Sequence, residues 1–261
     1  MCLILFAYKA NAQWPLILAS NRDEAFNRPT HTAQFWKNSP DMLAGQDLDK
    51  GGTWLGMSKG GRIAAVTNFR QGQSLQEHPK SRGHLVDGFL RSQTPALAYL
   101  DEVQREKELY AGFACLLGDL KNLYFYSNRG GEIERVEPGV HGLSNAFLDT
   151  PWPKVEQGKE ELSNLLDAPV DLNAEALFEM LADQKTFDQA HLPKTGIDAN
   201  RERALSAKFI AVDDRYGTRS STVILVHERG HVQYLERSFA PRGVLLNESK
   251  FFFDLNTAIE N

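Results

Sequence analysis

Cysteine is scarce in this chain, with only Cys2 and Cys115 among 261 residues. Two cysteines are too few for the disulfide framework of a small secreted domain, and they are typical of a protein from a reducing compartment. The N-terminus also lacks the basic start of a secretory signal, and Lys9 and Asn11 interrupt its apolar run. We therefore expect a cytoplasmic protein.

Long apolar segments and an excess of basic charge are absent as well. No part of the sequence approaches the roughly 20 consecutive apolar residues of a membrane helix, so we expect no membrane span. Lys and Arg number 29 against 34 Asp and Glu, which gives a net charge of -5. Nucleic-acid binding needs a clustered positive surface that this composition does not supply on average. We therefore expect no nucleic-acid partner.

The histidines show no pattern that indicates a metal site. None of the seven forms a pair at the spacing of a zinc finger or a metal-binding helix, and none is singled out as a haem ligand. They are His31, His78, His84, His141, His191, His227 and His231. We expect no bound metal ion.

Apolar residues make up 42% of the chain and aromatic residues 10%, which is enough for a sizeable core and excludes a disordered or fibrous protein. No internal repeat, low-complexity tract or linker divides the sequence. We therefore expect one domain over residues 1–261. The sequence leaves the oligomeric state open.

The apolar patterns predict strands, two helices, strands, two helices and strands again. Apolar spacing predicts a first helix over Gly83–Arg91, and Thr94-Pro95, Pro151-Trp152-Pro153 and Ala174 each open another. Closing strands are predicted over residues 207–212, 221–226 and 231–239, with a hairpin loop over 213–220 and a mobile or partner-contacting segment over 184–203. This order predicts an α+β domain with antiparallel sheets and segregated helices.

The first two dozen residues predict a reactive site. Cys2 starts an apolar strand, and a second apolar strand over residues 14–20 ends at the polar tetrapeptide Asn21-Arg22-Asp23-Glu24. If the two strands pair in antiparallel fashion, the end of the second lies beside the start of the first. A thiol, a carboxylate and a guanidinium are then neighbours.

An N-terminal cysteine has a specific chemical use. Removal of Met1 would give Cys2 a free α-amine with a pKa of about 7.7 to 8.0 beside a thiol of about 8.5, so one residue would carry both base and nucleophile. Acyl transfer also needs oxyanion donors, which asparagine amides commonly provide. Polar clusters at predicted strand ends offer them in Asn21-Arg22-Asp23, Thr67-Asn68, Ser144-Asn145 and Thr218-Arg219.

This set of residues resembles the N-terminal-nucleophile hydrolases, in particular penicillin V acylase and bile salt hydrolase. The resemblance implies an αββα sandwich of two antiparallel sheets between helical layers. It also implies that Cys2 is the nucleophile, that Asp23 holds its amine, that Asn68 and Asn145 polarise a carbonyl, and that Arg219 steadies the site. Those enzymes carry an arginine three residues before the aspartate, where this chain has Ser20. Arg22 lies on the same side of the strand and is the candidate substitute.

A second resemblance covers almost the whole chain. Its motifs are Met1-Cys2, Asn21-Arg22-Asp23-Glu24, Arg28-Pro29, Gly51-Gly52-Thr53-Trp54-Leu55-Gly56, Thr67-Asn68, Gly142-Leu143-Ser144-Asn145-Ala146, Thr150-Pro151-Trp152-Pro153-Lys154, Tyr216-Gly217-Thr218-Arg219 and Glu236-Arg237-Ser238. By these motifs the sequence is identified as a member of the NRDE family, the group of transport and Golgi organisation protein 2. Members of that family are linked to haem trafficking and acyl-lipid metabolism.

Two functions therefore stand side by side. The family resemblance implies binding or trafficking of a small hydrophobic anionic metabolite, haem or an acyl-lipid or acyl-CoA, with haem as a bound ligand and no required cofactor. The chemistry of Cys2 instead indicates an N-terminal cysteine amidohydrolase that cleaves a C–N amide bond. The candidate ligand-binding residues are Asn21, Trp54, Thr67 and Arg70.

Each candidate residue also has a purely structural interpretation. Asp23 and Arg22 form a plausible ion pair at a strand end, and asparagines such as Asn68 and Asn145 often cap turns. Arg219 in a loop is compatible with a solvated side chain, and Trp54 with a core anchor. The basic stretch of residues 70–91 indicates either a solvated face or a contact with a propionate or phosphate group.

Overall fold

The fold is known from a computed structural model that describes residues 2–70, 78–168 and 172–256. Its thirteen strands are β1 Cys2–Tyr8, β2 Leu16–Ala25, β3 Thr30–Trp36, β4 Ser39–Asp47, β5 Leu55–Ser58, β6 Ile63–Asn68, β7 Phe113–Gly118, β8 Leu123–Ser127, β9 Glu134–Arg135, β10 Gly139–Leu143, β11 Tyr216–Val226, β12 His231–Ala240 and β13 Val244–Asp254. Its five α-helices are α1 Gly83–Arg91, α2 Ala96–Arg105, α3 Pro153–Asp167, α4 Ala174–Leu181 and α5 Ala199–Ala204.

The strands form two antiparallel sheets. The first sheet has the order β10-β1-β2-β11-β12-β13, and the second runs from β3 to β9 in chain order. Side chains alternate between the two faces of each strand, and β1 shows the result. Ile4 and Phe6 enter the core between the sheets, whereas Leu3 and Leu5 enter a second core.

Helices cover the outer face of each sheet. Buried residues of α3 and α4 pack on the outer face of the first sheet, and those of α1 and α2 pack on the outer face of the second. The layers therefore follow the order helix, sheet, sheet, helix, as the sequence predicts. None of the helices in the described ranges is long and apolar enough to span a bilayer.

The structure extends β2 beyond its predicted end. The strand continues through the polar tetrapeptide to Ala25, because β11 pairs with it from Leu16 to Ala25. The same pairing places Thr218 and Arg219 inside β11, which begins at Tyr216, so the predicted hairpin loop over residues 213–220 is wrong in its second half.

The predicted strand over residues 207–212 is also wrong. This segment is buried from Ala207 to Ile210 but belongs to neither sheet, because its polar groups bond to other parts of the chain. The Phe209 N–H donates to the Asp183 carbonyl, and the Ile210 N–H donates to Thr218 Oγ1. The third closing strand is instead β13.

Candidate functional site

A cavity of about 670 Å³ opens where the two sheets meet the start of α1. The first sheet contributes residues from the beginning of β1 and the end of β2, and the second contributes the end of β6 and the loop before β5. The lining residues include Cys2, Arg22, Asp23, Glu24, Arg28, Asp47, Lys50, Trp54, Asn68, His78, Lys80, Arg82 and His84. Four of the predicted site residues, Cys2, Arg22, Asp23 and Asn68, thus share one cavity, together with Trp54.

Cys2 lies directly opposite Arg22 in the β1–β2 ladder. Opposed residues of antiparallel strands project to the same face, so Arg22 takes the side of the strand on which the acylase pattern has its arginine. Cys2 as a whole residue is half-buried, and its thiol is the buried part. Burial raises its pKa and the Asp23 charge adds to this effect, whereas Arg22 acts in the opposite direction. Formation of the thiolate therefore depends on a cation near the sulfur that lowers the pKa of the thiol.

Asp23 is the buried acid of the site. It is 1% exposed, and its Oδ1 accepts a 2.7 Å hydrogen bond from Thr218 Oγ1. The Asp23 carbonyl accepts a 3.0 Å hydrogen bond from the Tyr216 hydroxyl. Burial raises the pKa of Asp23, while Lys154, the Thr218 hydrogen bond and Arg70 oppose that change. Strand β11 therefore fixes the position and the hydrogen bonding of this carboxyl.

Two further cations lie behind Asp23, away from solvent. Lys154, in the first turn of α3, is 2% exposed and donates to the Leu205 carbonyl at 3.0 Å. Arg70 donates to Glu202 of α5 at 2.8 Å and stacks over the Trp152 ring at 4.7 Å. Burial lowers the pKa of Lys154 to about 8, against the attraction of Asp23. Ionised groups are costly to bury, so each depends on its counter-charges.

The loop after β10 closes the site around Cys2. Ser144 Oγ donates to the Cys2 carbonyl at 3.0 Å, and Asn145 Nδ2 donates to the Asn68 carbonyl at 2.8 Å. Asn145 has a φ of 56°, and its own carbonyl accepts from the Arg70 N–H at 2.7 Å. Its buried Oδ1 accepts no hydrogen bond within the described residues. Asn145 is therefore hydrogen-bonded to Asn68, which lines the same cavity as Cys2.

An ion-pair cluster forms one wall of the cavity. Asp47 accepts hydrogen bonds from Arg28 at 2.6 Å and from Arg22 at 3.4 Å. Burial opposes ionisation of Asp47, but the Arg28 hydrogen bond and the Lys50 N–H outweigh it, so its pKa is lowered. Arg22 also stacks over the Trp54 ring at 4.1 Å. Trp54 thus packs against the core and also lines the cavity. Its position fits both interpretations of the sequence, a core anchor and a ligand-binding residue.

Arg82 provides a cation that has no carboxylate partner among the residues described. It precedes the first residue of α1, and its Nη1 donates to the Gly112 carbonyl at 3.1 Å. Burial lowers its pKa, although the charges of Glu24 and Cys2 oppose the change. The N-terminus of α1 also faces the cavity, since Gly83 lines it. Both features favour an anion in this part of the cavity.

Gly52 and Gly83 lie where the loop before β5 comes close to the start of α1. Gly52 has a φ of +78°, and a Cβ there would lie 2.4 Å from the Gly83 carbonyl carbon. The Thr53 N–H donates to the Gly83 carbonyl at 3.2 Å. Glycine is thus needed both for positive φ and for contact with the start of α1.

The structure places five predicted residues outside the cavity lining: Arg70 and Asn145, described above, and Asn21, Arg219 and Thr67. Asn21 points to the helical side, where its amide donates to the Leu181 and Lys208 carbonyls at 2.9 and 2.8 Å. Arg219 donates to the carbonyls of Ala25 and Arg28, both at 2.8 Å, and so fixes the turn after β2. Thr67 is 1% exposed, and its Oγ1 has no hydrogen-bond partner in the described chain.

Lys154, Glu202, Arg82 and Asp47 are parts of the site that the sequence did not single out. Glu202 belongs to the segment predicted to be mobile or partner-contacting, yet it is 5% exposed and pairs with Arg70. Two of them carried a usable signal, since Lys154 ends the motif Thr150-Pro151-Trp152-Pro153-Lys154 and Arg82 lies in the basic stretch of residues 70–91. Residues 71–77 of the basic stretch lie outside the described residues.

The arrangement supports two kinds of chemistry. The cationic groups at the cavity suit an anionic ligand. The thiol of Cys2, the buried Asp23 and the neighbouring asparagine pair suit attack on a carbonyl group. The individual roles of these residues stay predictions.

Comparison with known proteins gives the family and the fold. The sequence profile of the family described as Transport and Golgi organisation 2 matches residues 1–241. The Transport and Golgi organization protein 2 homolog of Bos taurus is 41% identical over 258 residues, which is 91% of this chain and 93% of the bovine protein. The Homo sapiens homolog is 38% identical over 257 residues, again 91% of this chain and 93% of the human protein.

Two solved structures share the architecture. Penicillin V acylase from Agrobacterium tumefaciens has a TM-score of 0.52 at 12% identity, with 97% of this chain and 86% of that chain covered. The Caenorhabditis elegans ortholog of N-acylethanolamine-hydrolyzing acid amidase has a TM-score of 0.53 at 12% identity, covering 86% and 92%. At this identity the likeness shows fold alone. It confirms the predicted sandwich of the N-terminal-nucleophile hydrolases.

Proposed function

The chain belongs to the Transport and Golgi organisation 2 family, and from this premise we propose that it binds or carries an acid-bearing hydrophobic metabolite, an acyl-CoA or haem, in the Cys2 cavity. The observation that carries the proposal is Arg82, a cation beside the start of α1 that has no carboxylate partner in the described structure. Arg22, Arg28, Lys50 and Lys80 also line the cavity, although Arg22 and Arg28 are paired with Asp47 and Lys80 with Glu106. A cavity of about 670 Å³ is within the size range of small-molecule sites, roughly 300 to 1,000 Å³.

The lining favours a phosphate-bearing acyl-CoA over haem. A porphyrin needs broad apolar walls, whereas most of the lining here is polar or charged. Among the described lining residues, Trp54 is the one aromatic side chain apart from two histidines. Cys2, His78 and His84 offer atoms that can ligate iron, and the 3.1 Å contact of His84 Nδ1 with Asp87 Oδ1 leaves its Nε2 available. Phosphate groups instead match the guanidinium and helix N-terminus directly.

The test is a titration of purified protein with oleoyl-CoA and, separately, with haem. We expect saturable binding of oleoyl-CoA below about 10 µM, which corresponds to roughly -7 kcal/mol. Arg82→Met should weaken it about tenfold or more, since a hydrogen bond to a charged group is worth about 1.5 to 3 kcal/mol. Arg105→Met, at an exposed position on α2, is the matched control and should bind as the unmodified chain does. Absence of saturable binding of both ligands would reject the proposal.

A second function, N-terminal cysteine amidohydrolase, is favoured by the position of Cys2. Cys2 lies opposite Arg22 and next to Asp23 in the sheet, and Ser144 holds its backbone carbonyl, which supports a role for the thiol in attack on an amide carbonyl. After removal of Met1, the α-amine would take the thiol proton and pass it to the leaving amine. Water would then hydrolyse the thioester, releasing the acid and regenerating the thiol.

Two measurements test this second function. Intact-protein mass before and after iodoacetamide shows whether Met1 is removed and whether Cys2 is alkylated rapidly near neutral pH. Cys2→Ala should abolish turnover of an N-acyl amide panel and leave the thermal midpoint nearly unchanged. Turnover that persists in Cys2→Ala would exclude Cys2 as nucleophile, and an equal loss of folding would mark the cysteine as structural.

A further inference from the structure

The last strand, β13, is an uncovered sheet edge. It pairs with β12 on one side along Val244–Asp254, and no strand in the described ranges pairs with its other side. An edge strand presents a row of backbone donors and acceptors to any strand that can approach it. At 11 residues β13 shares the greatest strand length in the described fold with β11, which lies in the interior of the same sheet.

This edge is also unusually apolar. Val244, Leu245, Leu246 and Phe252 are 60, 54, 66 and 67% exposed, and they are half of the large hydrophobic side chains exposed in the described residues. Natural edge strands are commonly protected by proline, a bulge or charged side chains, and the charges in the middle of this edge are Glu248 and Lys250. A register shift between Ser238 and Phe239 of β12 affects only the first part of β13, so Asn247–Asp254 forms a regular ladder. That regular stretch carries no proline.

We propose that a second copy of this chain pairs with β13 in antiparallel fashion about a twofold axis at Ser249. In this register Glu248 faces Lys250 of the partner and Lys250 faces the partner's Glu248. One step outward from Asn247 and Phe251, the exposed Leu246 faces the exposed Phe252 of the partner. The two six-stranded sheets would join into one continuous sheet of twelve strands.

Charge selects this register over its neighbours. Glu248 and Lys250 lie on the same face of β13, since Lys250 Nζ is 2.5 Å from Glu248 Oε1 within the chain. An axis at Lys250 would place two lysines opposite each other, and an axis at Glu248 would oppose two glutamates. Like charges directly opposite across strands are unfavourable, and opposite charges are favourable. A twofold axis at Ser249 makes both contacts attractive.

The other face of β13 holds the strand ready for pairing. Phe35 packs edge to face against Phe251 and Phe253 at 5.9 and 5.7 Å between ring centroids. Both phenylalanines pack against the core between the sheets. The edge is therefore fixed before a partner arrives, which reduces the entropy lost on association.

The first experiment measures mass in solution. Sedimentation equilibrium of the full chain should show a monomer–dimer equilibrium with a dissociation constant below about 100 µM. A chain that remains monomeric up to about 200 µM overturns the proposal, whatever the variants below show.

Charge exchange then tests the register. Lys250→Glu opposes two glutamates at each of two contacts and should weaken the dimer at least about tenfold. Glu248→Gln combined with Lys250→Glu removes the repulsion between chains without opposing a cation to Arg237, which pairs with Glu248 at 2.6 Å, and should recover part of the affinity. A dimer insensitive to Lys250→Glu would overturn the register.

Crosslinking gives an independent test. Ser249→Cys would bring two thiols to the axis with Cα atoms about 4.5 to 5.5 Å apart, within disulfide range. Asn247→Cys is the control, because its two copies would lie about 13 Å apart along the strands. Oxidation should link Ser249→Cys and spare Asn247→Cys, and peptide mass mapping identifies the bond. Preferential linkage at residue 247 would overturn the proposal.

Discussion

Behind Cys2, the ionisation of each buried charged group depends on one or two neighbouring side chains, and Lys154 is an example. Its ammonium group is buried with one carbonyl acceptor and depends on Asp23 for compensation. Arg70 and Glu202 form a neighbouring pair. Burial lowers the pKa of Lys154 and the charge of Asp23 raises it. The free energy of unfolding should therefore change with pH wherever the folded and unfolded chains differ in the protonation of Lys154.

We predict that Lys154 makes the unmodified chain more stable as pH rises above about 8. Its folded pKa of about 8 lies below the ordinary value of 10.5, so the unfolded chain binds the extra proton between these values. The free energy of unfolding should therefore rise by about 1 to 3 kcal/mol over that window. Lys154→Met should lack this rise. Urea unfolding from pH 7 to 10.5 measures it, with exposed Lys185→Met as control, and parallel curves would contradict the prediction.

At the scale of elements, Glu236 joins the sheets beside the site. From β12 it accepts a hydrogen bond from the Ala33 N–H of β3 at 2.6 Å, and it is 2% exposed. Thr222 of β11 donates to its other oxygen at 3.2 Å. Burial raises the pKa of Glu236 from 4.5 to about 7.

We predict that Glu236 costs stability as pH rises from about 4.5 to about 7. The folded state holds the proton over this window and the unfolded state does not, so stability present at low pH is lost. Glu236→Gln should remove this dependence and be more stable at pH 8 by up to about 3 kcal/mol. Chemical unfolding at pH 4.5 and 8 measures the difference. Exposed Glu132→Gln is the control, and equal pH dependence in both variants would argue against the prediction.

The contact between the loop before β5 and the start of α1 gives a second prediction at this scale. Gly52→Ala should lower the free energy of unfolding by more than about 2 kcal/mol, because it combines positive φ with a Cβ that meets backbone. Gly60→Ala is the matched control, since the added Cβ would lie 3.6 Å from Ser58 Oγ, an ordinary van der Waals contact. Thermal and urea unfolding compare them. Similar losses in both variants would show that the close approach does not matter.

The sequence predicts elements well where the local pattern decides them. Helix α1 has the predicted bounds because its apolar residues repeat at helical spacing. β2 was predicted to end too early because its polar residues are buried by β11, a strand nearly 200 positions away. Residues 207–212 resemble a strand in sequence because all but Lys208 are apolar, and β13 was missed because Asn247-Glu248-Ser249-Lys250 separates its apolar ends.

The site, like the secondary structure, was predictable from the sequence where neighbouring strands decide it. Strand pairing alone brings Cys2 to Arg22, and the structure has that register. Lys154 and Glu202 approach from elements far along the chain, so no local pattern indicates their contacts. Asn21 was placed with the site by proximity in sequence, whereas alternation turns it toward the helices.

At the scale of the whole molecule, the net charge and the cavity have opposite signs. The chain carries a net charge of -5, while the cavity collects arginine and lysine near Cys2. An anionic ligand is therefore repelled by the molecule at long range and attracted at short range.

We predict that salt weakens acyl-CoA binding despite the negative net charge. Raising NaCl from about 50 to about 300 mM should increase the dissociation constant of octanoyl-CoA several-fold, because counter-ions screen the cavity cations. Isothermal titration calorimetry measures the change, and neutral octanamide serves as the control ligand if it binds. Affinity that stays constant or strengthens with salt would show that these cations do not hold the ligand.

The alternation of side chains along β2 between the two faces of the sheet limits where insertions and deletions can occur during evolution. Arg22 faces Cys2 and the cavity, whereas Asn21 faces the helices. Deletion of one residue between Leu16 and Arg22 would move these side chains to the opposite faces of the sheet, since successive residues of a strand point to opposite faces. Insertions and deletions near the site should therefore be tolerated only in the exposed turn before β2, where they shift no register.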